Sequence, residues 1–133
     1  MDADQVLQVF QHWKDTMGHK RARMDLKRAQ VIRDRLRDGY SVEDLTLAID
    51  GNAASDWHQG NNDRRMKYDA IELILRDAAH VDRFIAMGEA AHKMIEAKQQ
   101  RQAEAQKEAA PPTEEEKARV RELLRNVRLR RVA

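Results

Sequence analysis

Cysteine is absent from this chain of 133 residues, which excludes a disulfide framework, a thiolate metal site and a cysteine nucleophile. The five glycines are scattered and form no glycine-rich phosphate loop. No apolar run approaches the roughly 20 residues that a membrane-spanning helix needs. The acidic N-terminus lacks the basic-then-apolar pattern of a signal peptide, so we expect a cytoplasmic protein without a membrane partner.

Signatures of catalysis are also missing. The five histidines show no HExxH spacing, and the chain contains no GxSxG motif. His58 and Asp63 share one polar stretch and form the single candidate pair for acid–base or metal chemistry. A surface histidine in a polar loop is the more common explanation. We therefore expect no enzymatic activity, no catalytic residue, no metal ligand and no cofactor.

Apolar residues recur at helical spacing along most of the chain, which predicts an all-α protein. The predicted architecture is a compact bundle of about five helices (residues 1–95) followed by a long, charged helical arm (residues 96–133). The first helices are predicted over 4–16, 26–38 and 42–49, and the pattern returns over 68–75 and from about 80 to 95. The arm continues as an exposed helix to residue 110, breaks at Pro111 and Pro112, and ends in a further helix.

Several helix ends carry recognisable capping residues. Asp25 is a predicted N-cap, and Gly39 is placed for a left-handed C-terminal cap. Ser41 with Asp44, and Thr113 with Glu116, are predicted capping boxes. The sequence from Asp50 to Asn52 is expected to end the third helix, and residues 51–66 then form a long loop of the kind that often carries function.

Charges are segregated along the chain although the net charge is only +2. Nine basic and three acidic residues lie between Lys14 and Arg37, whereas Glu43 to Asp63 contains five acidic residues and no lysine or arginine. Two basic clusters are predicted to contact nucleic-acid phosphates if they adjoin in the fold. Their members are Lys20, Arg21, Arg23, Lys27 and Arg28, and then Arg64, Arg65 and Lys67. The alternative is that these residues are ordinary solvated charges.

Two apolar features lie outside the predicted core. Trp57, in the polar loop, either anchors that loop to the core or stacks on a base or partner. The terminal helix carries an apolar stripe flanked by arginines, which is predicted to dock on the domain, on a second copy as a homo-oligomer, or on a partner groove. Alternatively, the helix becomes ordered on a nucleic acid. The stripe consists of Val120, Leu123, Leu124 and Val127.

A family resemblance rests on several of these segments taken together. They are Phe10-Gln11-His12-Trp13, Met17-Gly18-His19, the block from Ile32 to Leu45, Ala48-Ile49-Asp50-Gly51, Trp57, Asn62-Asp63-Arg64, Lys67-Tyr68-Asp69, Ile71 to Asp77 and Val81 to Ile85. The pattern resembles a helical domain near the C-termini of bacteriophage and prophage replication proteins, which is loosely akin to DnaD-like primosomal domains. It covers roughly residues 6–86.

The resemblance implies a phage DNA-replication accessory protein in a bacterial host cell. Such a protein would bind DNA, with the strand preference open, or would engage the replicative helicase or its loader. The main alternative is a protein–protein adaptor or inhibitor of a host replication or defence factor, without DNA binding. The acidic region from Glu43 to Asp63 supports that alternative, because it could dock on a basic surface.

Overall fold

A computed structural model describes residues 3–132, with side chains described for residues 3–127. This part of the chain forms six α-helices and no strand, which confirms the all-α class. The helices are α1 (Ala3–Met17), α2 (Leu26–Arg37), α3 (Val42–Ala54), α4 (Ile71–Ile74), α5 (Ala78–Glu108) and α6 (Glu114–Val132). The chain divides into two compact units, one up to Glu96 and one from Ala97 onward.

The capping residues explain where α2 and α3 begin. The Asp25 side chain accepts a hydrogen bond from the backbone N–H of Arg28 at 2.8 Å. Ser41 and Asp44 form the reciprocal capping box, with bonds of 3.0 and 2.9 Å. Gly39 follows α2 with φ +108°, a left-handed conformation that favours glycine. These three predictions are confirmed.

The core of the first unit is built from the apolar stripes of α1 to α5. Its fully buried members include Val9, Ile32, Ile49, Ile74 and Val81, one from each of these helices. Trp13 and Phe84 are almost fully buried as well. The stripes therefore pack inward as their spacing predicts.

The prediction that α3 ends at residues 50–52 is wrong, because the helix runs through Gly51 to Ala54. Gly51 is buried against the backbone of α5, where the carbonyl oxygen of Phe84 and the N–H of Gly88 lie next to its Cα. The glycine permits a close helix–helix approach here and does not break the helix.

The pattern from Tyr68 to Leu75 predicts more helix than forms, since α4 covers only Ile71–Ile74. The carbonyl oxygens of Tyr68 and Asp69 accept side-chain hydrogen bonds from Asn52 and Trp13, at 3.0 and 2.8 Å. These tertiary bonds hold the segment before α4 in a non-helical conformation. The predicted break near residues 77–80 is confirmed, and α5 begins at Ala78.

In the second unit, the latter part of α5 continues to Glu108 with exposed side chains. The chain breaks at Pro111 and Pro112 as predicted, and Thr113 Oγ1 accepts a hydrogen bond from the N–H of Glu116 at 3.2 Å. This is one of the two bonds of the predicted capping box. It places the start of α6 at Glu114.

Candidate nucleic-acid interface

The loop between α1 and α2 is fixed to the core by one histidine. His19 Nε2 lies 2.9 Å from Asp69 Oδ2, and the His19 ring lies 5.0 Å from the Trp13 ring, centroid to centroid. Asp69 is itself buried, and its carbonyl oxygen accepts the Trp13 indole N–H. The next residues, Lys20 and Arg21, are exposed on this anchored loop.

Arg23 and Lys27 extend the exposed positive charge to the first turn of α2, but Arg28 behaves differently. The Arg28 guanidinium donates to the Arg23 carbonyl oxygen at 2.6 Å and lies 5.2 Å from the Trp13 ring centroid. Its Nε is 3.5 Å from a carboxylate oxygen of Glu72. Arg28 therefore stabilises the fold, and we assign it the smallest part in any phosphate contact.

A cleft of about 520 Å³ lies beside this loop and is lined by residues of the loop, of α1 and of the start of α4. It contains two carboxylates, those of Asp69 and Glu72. Each has a nitrogen partner within the protein, namely His19 for Asp69 and Arg28 for Glu72. Their repulsion of an incoming anion is therefore reduced.

The second basic cluster lies in the loop between α3 and α4 and is shaped by Asn62. The Asn62 amide donates to the carbonyl oxygens of Trp57 and Met66 at 2.7 and 2.8 Å, and its oxygen accepts the N–H of Met66 at 3.2 Å. Arg65 adopts a left-handed conformation with φ +51° at this turn. Arg64, Arg65 and Lys67 are all exposed.

The contact between His19 and Asp69 joins the chain segments that flank the two clusters. Lys20 directly follows His19 in the chain, and Lys67 precedes Asp69 by two residues. Among the ion pairs of the described side chains, none involves the exposed basic residues of either cluster. We call these residues the basic surface: Lys20, Arg21, Arg23, Lys27, Arg64, Arg65 and Lys67.

Trp57 lies on the outside of an aromatic group within the same loop. Its ring stacks on Tyr68 with centroids 5.1 Å apart and 14° between the planes, and its edge contacts His58. His58 in turn contacts the core residue Phe84 at 5.0 Å. The indole is nevertheless 54% exposed. Trp57 is thus anchored to the core and still accessible to a stacking partner.

His58 does not have the surroundings of a catalytic base paired with Asp63. Its Nδ1 lies 2.7 Å from the hydroxyl oxygen of Ser55. Burial lowers the pKa of His58 below its usual value of 6.5, and the nearby positive charge of Arg83 lowers it further. Asp63 is exposed. Within residues 3–127, no group of three or more His, Asp or Glu side chains has an arrangement that could hold a metal ion.

One side-chain cluster could not be anticipated from sequence spacing. The Asp50 carboxylate bonds to His12 Nε2 at 2.7 Å through one oxygen and to His92 Nε2 at 3.0 Å through the other. The contact links α1, α3 and α5. Its members are 38 and 42 residues apart, so no local pattern could indicate it.

An apolar groove of about 500 Å³ lies between the N-terminal halves of α1 and α2. Leu7 and Leu26 line it and are 52% and 81% exposed, and Val6, Met24 and Ala29 complete its apolar wall. The sequence patterns did not predict this groove. The available signal was that Leu7 and Leu26 are large apolar residues outside the core stripes.

The predicted partner stripe of the terminal helix lies on α6. Its four members are exposed, by between 52% and 61%. Docking by this helix stays a prediction. The four members of the stripe are Val120, Leu123, Leu124 and Val127.

No protein-family model, curated protein or solved structure matches this chain significantly. Among the helices described, none combines the length and the apolar character required to cross a lipid bilayer.

Proposed function

We propose that this protein binds the sugar–phosphate backbone of DNA through its basic surface and acts as an accessory factor in phage DNA replication. The observation that carries the proposal is the contact between His19 and Asp69, because these residues flank two exposed basic segments. Lys27 and Arg64, the members of the two segments that are nearest in sequence, are 37 positions apart, yet the fold bonds His19 and Asp69, which flank the two segments. Seven exposed cations that form no ion pair with another described side chain are a suitable phosphate-binding surface.

The contacts would come from side chains and not from the N-terminus of α2. The Asp25 carboxylate already caps that helix end and bonds to the N–H of Arg28. It places a negative charge where an anion would otherwise bind. Lysine and arginine side chains alone give binding that is strongly salt-dependent and largely independent of base sequence.

Trp57 favours a single-stranded ligand. It stacks on Tyr68, which directly follows Lys67 of the basic surface, and about half of its surface is accessible. Unpaired bases stack on such aromatic rings while neighbouring cations hold the backbone. The bases of a duplex are already stacked on each other and cannot reach the ring without unpairing.

The replication setting, and the replicative helicase or its loader as protein partner, come from the resemblance to phage replication domains. They form a separate part of the proposal from the phosphate contacts. The groove between α1 and α2 is the feature that favours a protein partner, because Leu26 exposes most of its apolar side chain there. The same groove favours the second candidate function, an adaptor or inhibitor of a host protein without DNA binding.

Fluorescence anisotropy with labelled single-stranded and duplex DNA, over a series of salt concentrations, tests the phosphate surface. Each phosphate contact adds about 0.7 to the log–log salt slope for single strands. We expect the double variant Arg21→Ala/Arg64→Ala, with one change in each cluster, to reduce this slope by about 1.4. The control is Lys98→Ala/Arg101→Ala, which removes the same charge from exposed positions of α5.

The control variant should bind like the wild type, and Trp57→Ala should weaken single-strand binding more than duplex binding. If the salt slope fell equally in the two double variants, DNA binding would respond only to net charge. That result would contradict the assigned surface. The absence of DNA binding at low salt would refute the DNA-binding proposal. Binding of purified helicase or loader that is lost in Leu26→Ser would then support the adaptor.

A further inference from the structure

The apolar stripe of α6 has an order that reads the same in both directions. From residue 120 to 127 the pattern is Val-x-x-Leu-Leu-x-x-Val. Spacings of three and four residues place all four side chains on one face of a helix. They are half-exposed or more, so this face is available to a partner.

Such a palindromic stripe fits a second copy of itself. If two α6 helices lie antiparallel with a two-fold axis between positions 123 and 124, Val120 of one copy meets Val127 of the other. Leu123 then meets Leu124 in both halves of the pair. A two-fold contact of this kind uses the same patch on both subunits, as closed dimers do.

The charges at the two ends of α6 distinguish the antiparallel from the parallel arrangement. The first turn is acidic, with Glu114, Glu115 and Glu116, whereas the end of the helix carries Arg128, Arg130 and Arg131. The same two-fold operation places position 116 opposite position 131. A parallel pair would instead place acid against acid and base against base, which is destabilising.

The ion pairs within one α6 helix do not prevent its charged side chains from pairing with those of a second copy. Within one helix, Glu114 lies 3.5 Å from both Lys117 and Arg121, and all three side chains are more than half exposed. Exposed pairs of this kind contribute little, so their side chains can reorient toward a second copy.

We propose that α6 forms an antiparallel helix pair with α6 of a second copy of this chain, and this proposal does not depend on nucleic-acid binding. Four apolar side chains per copy make an interface well below the usual size. The expected dissociation constant is therefore on the order of 10–100 μM.

Sedimentation equilibrium of the full chain, from about 5 to 500 μM, measures the association. We expect a reversible dimer for the wild type. The variant Leu123→Ser/Leu124→Ser should stay monomeric, and Met94→Ser, at an exposed position of α5, is the control that should dimerise normally. Both α6 leucines are exposed, so their replacement leaves the core of the first unit intact. A monomer throughout this range would overturn the proposal, whether α6 then docks on its own chain or on an acidic partner.

The register is tested with single cysteines, because the natural chain has none. In the antiparallel pair two copies of position 120 are about 10 Å apart along the axis, at 1.5 Å per residue. This separation is too long for a disulfide. We expect Val120→Cys and Val127→Cys to cross-link efficiently when mixed and poorly when oxidised alone. Efficient cross-linking of each variant with itself would show a parallel pair and would refute the register.

A charge exchange gives an independent test. Glu116→Arg places arginine against arginine in its own dimer, and Arg131→Glu places glutamate against glutamate. Both variants should dimerise at least tenfold more weakly than the wild type. Mixed in equal amounts, they should recover dimer, because each variant then supplies the charge that the other lacks. Failure of the mixture to associate better than either variant alone would contradict the antiparallel contact.

Discussion

Gly51→Ala should destabilise the first unit strongly, although alanine is the better helix former. A methyl group at residue 51 would fall inside the contact distance of the Phe84 carbonyl oxygen and would lie 2.7 Å from the N–H nitrogen of Gly88. These obstacles are backbone atoms of α5, so no side-chain rotation can relieve the clash. The two helices must move apart.

The net effect follows from two opposing magnitudes. Replacing glycine by alanine inside a helix gains about 1 kcal/mol. Overpacking a buried contact costs about 1–3 kcal/mol, and displacing a whole helix belongs at or above the upper end of that range. We expect a loss of about 2–3 kcal/mol in the free energy of unfolding, because the packing cost exceeds the helix gain. For a unit of this size that corresponds to a decrease of roughly 10–20 °C in Tm.

Thermal and urea denaturation followed by circular dichroism measures this loss. Glu89→Ala is the matched control, since residue 89 is exposed on α5 next to Gly88, and it should change Tm little. Gly88→Ala should resemble Gly51→Ala, because its methyl group would meet the carbonyl of Leu47 on α3. If Gly51→Ala were as stable as the wild type, the close approach of α3 and α5 would be refuted.

Two titrations test other contacts. Because the pKa of His58 lies below 6.5 in the fold, its stabilising contribution is present above pH 6.5 and is lost as pH falls through the folded value. Urea unfolding at pH 7.5 and pH 5 should therefore show a smaller loss of unfolding free energy on acidification in His58→Gln than in the wild type. An equal loss in the two proteins would contradict the lowered pKa of this half-buried ring. The hydrogen bond from Tyr40 to the Asp82 carboxylate, at 2.5 Å, raises the pKa of Tyr40 to about 12. Ultraviolet absorbance should detect this titration, with Tyr68→Phe to assign it, and Asp82→Asn should return the midpoint toward 10; an unchanged midpoint would reject the bond.

Local chemistry made the helix beginnings predictable from the sequence. Asp25 and Ser41 each satisfy backbone N–H groups within three residues, so their effect is visible in a short window. Gly51 misled the same reasoning, because a glycine suits both a helix end and a close helix contact. Only the position of α5, which is set by the whole core, decides between the two.

The candidate site was predictable as two lists of basic residues but not as one surface. The contact that joins them, between His19 and Asp69, spans 50 residues and has no local signature. The role of Arg28 was hidden for the same reason, since its partner Glu72 lies on α4. Exposed residues such as Arg64 carry their charge whatever the fold, so the sequence alone could name them as candidates.

Asp69 connects the stability of the core to the geometry of the basic surface. Its buried backbone carbonyl is fixed by Trp13, and its carboxylate fixes His19 at the base of the loop that carries Lys20 and Arg21. The loop after α1 and the segment before α4 are thus bonded to each other and to the core. Preorganisation reduces the entropy lost on binding, so the flexible lysine and arginine side chains are the main groups left to order. The same contact makes the surface dependent on the fold, because losing the bond to Asp69 would release one basic segment from the other.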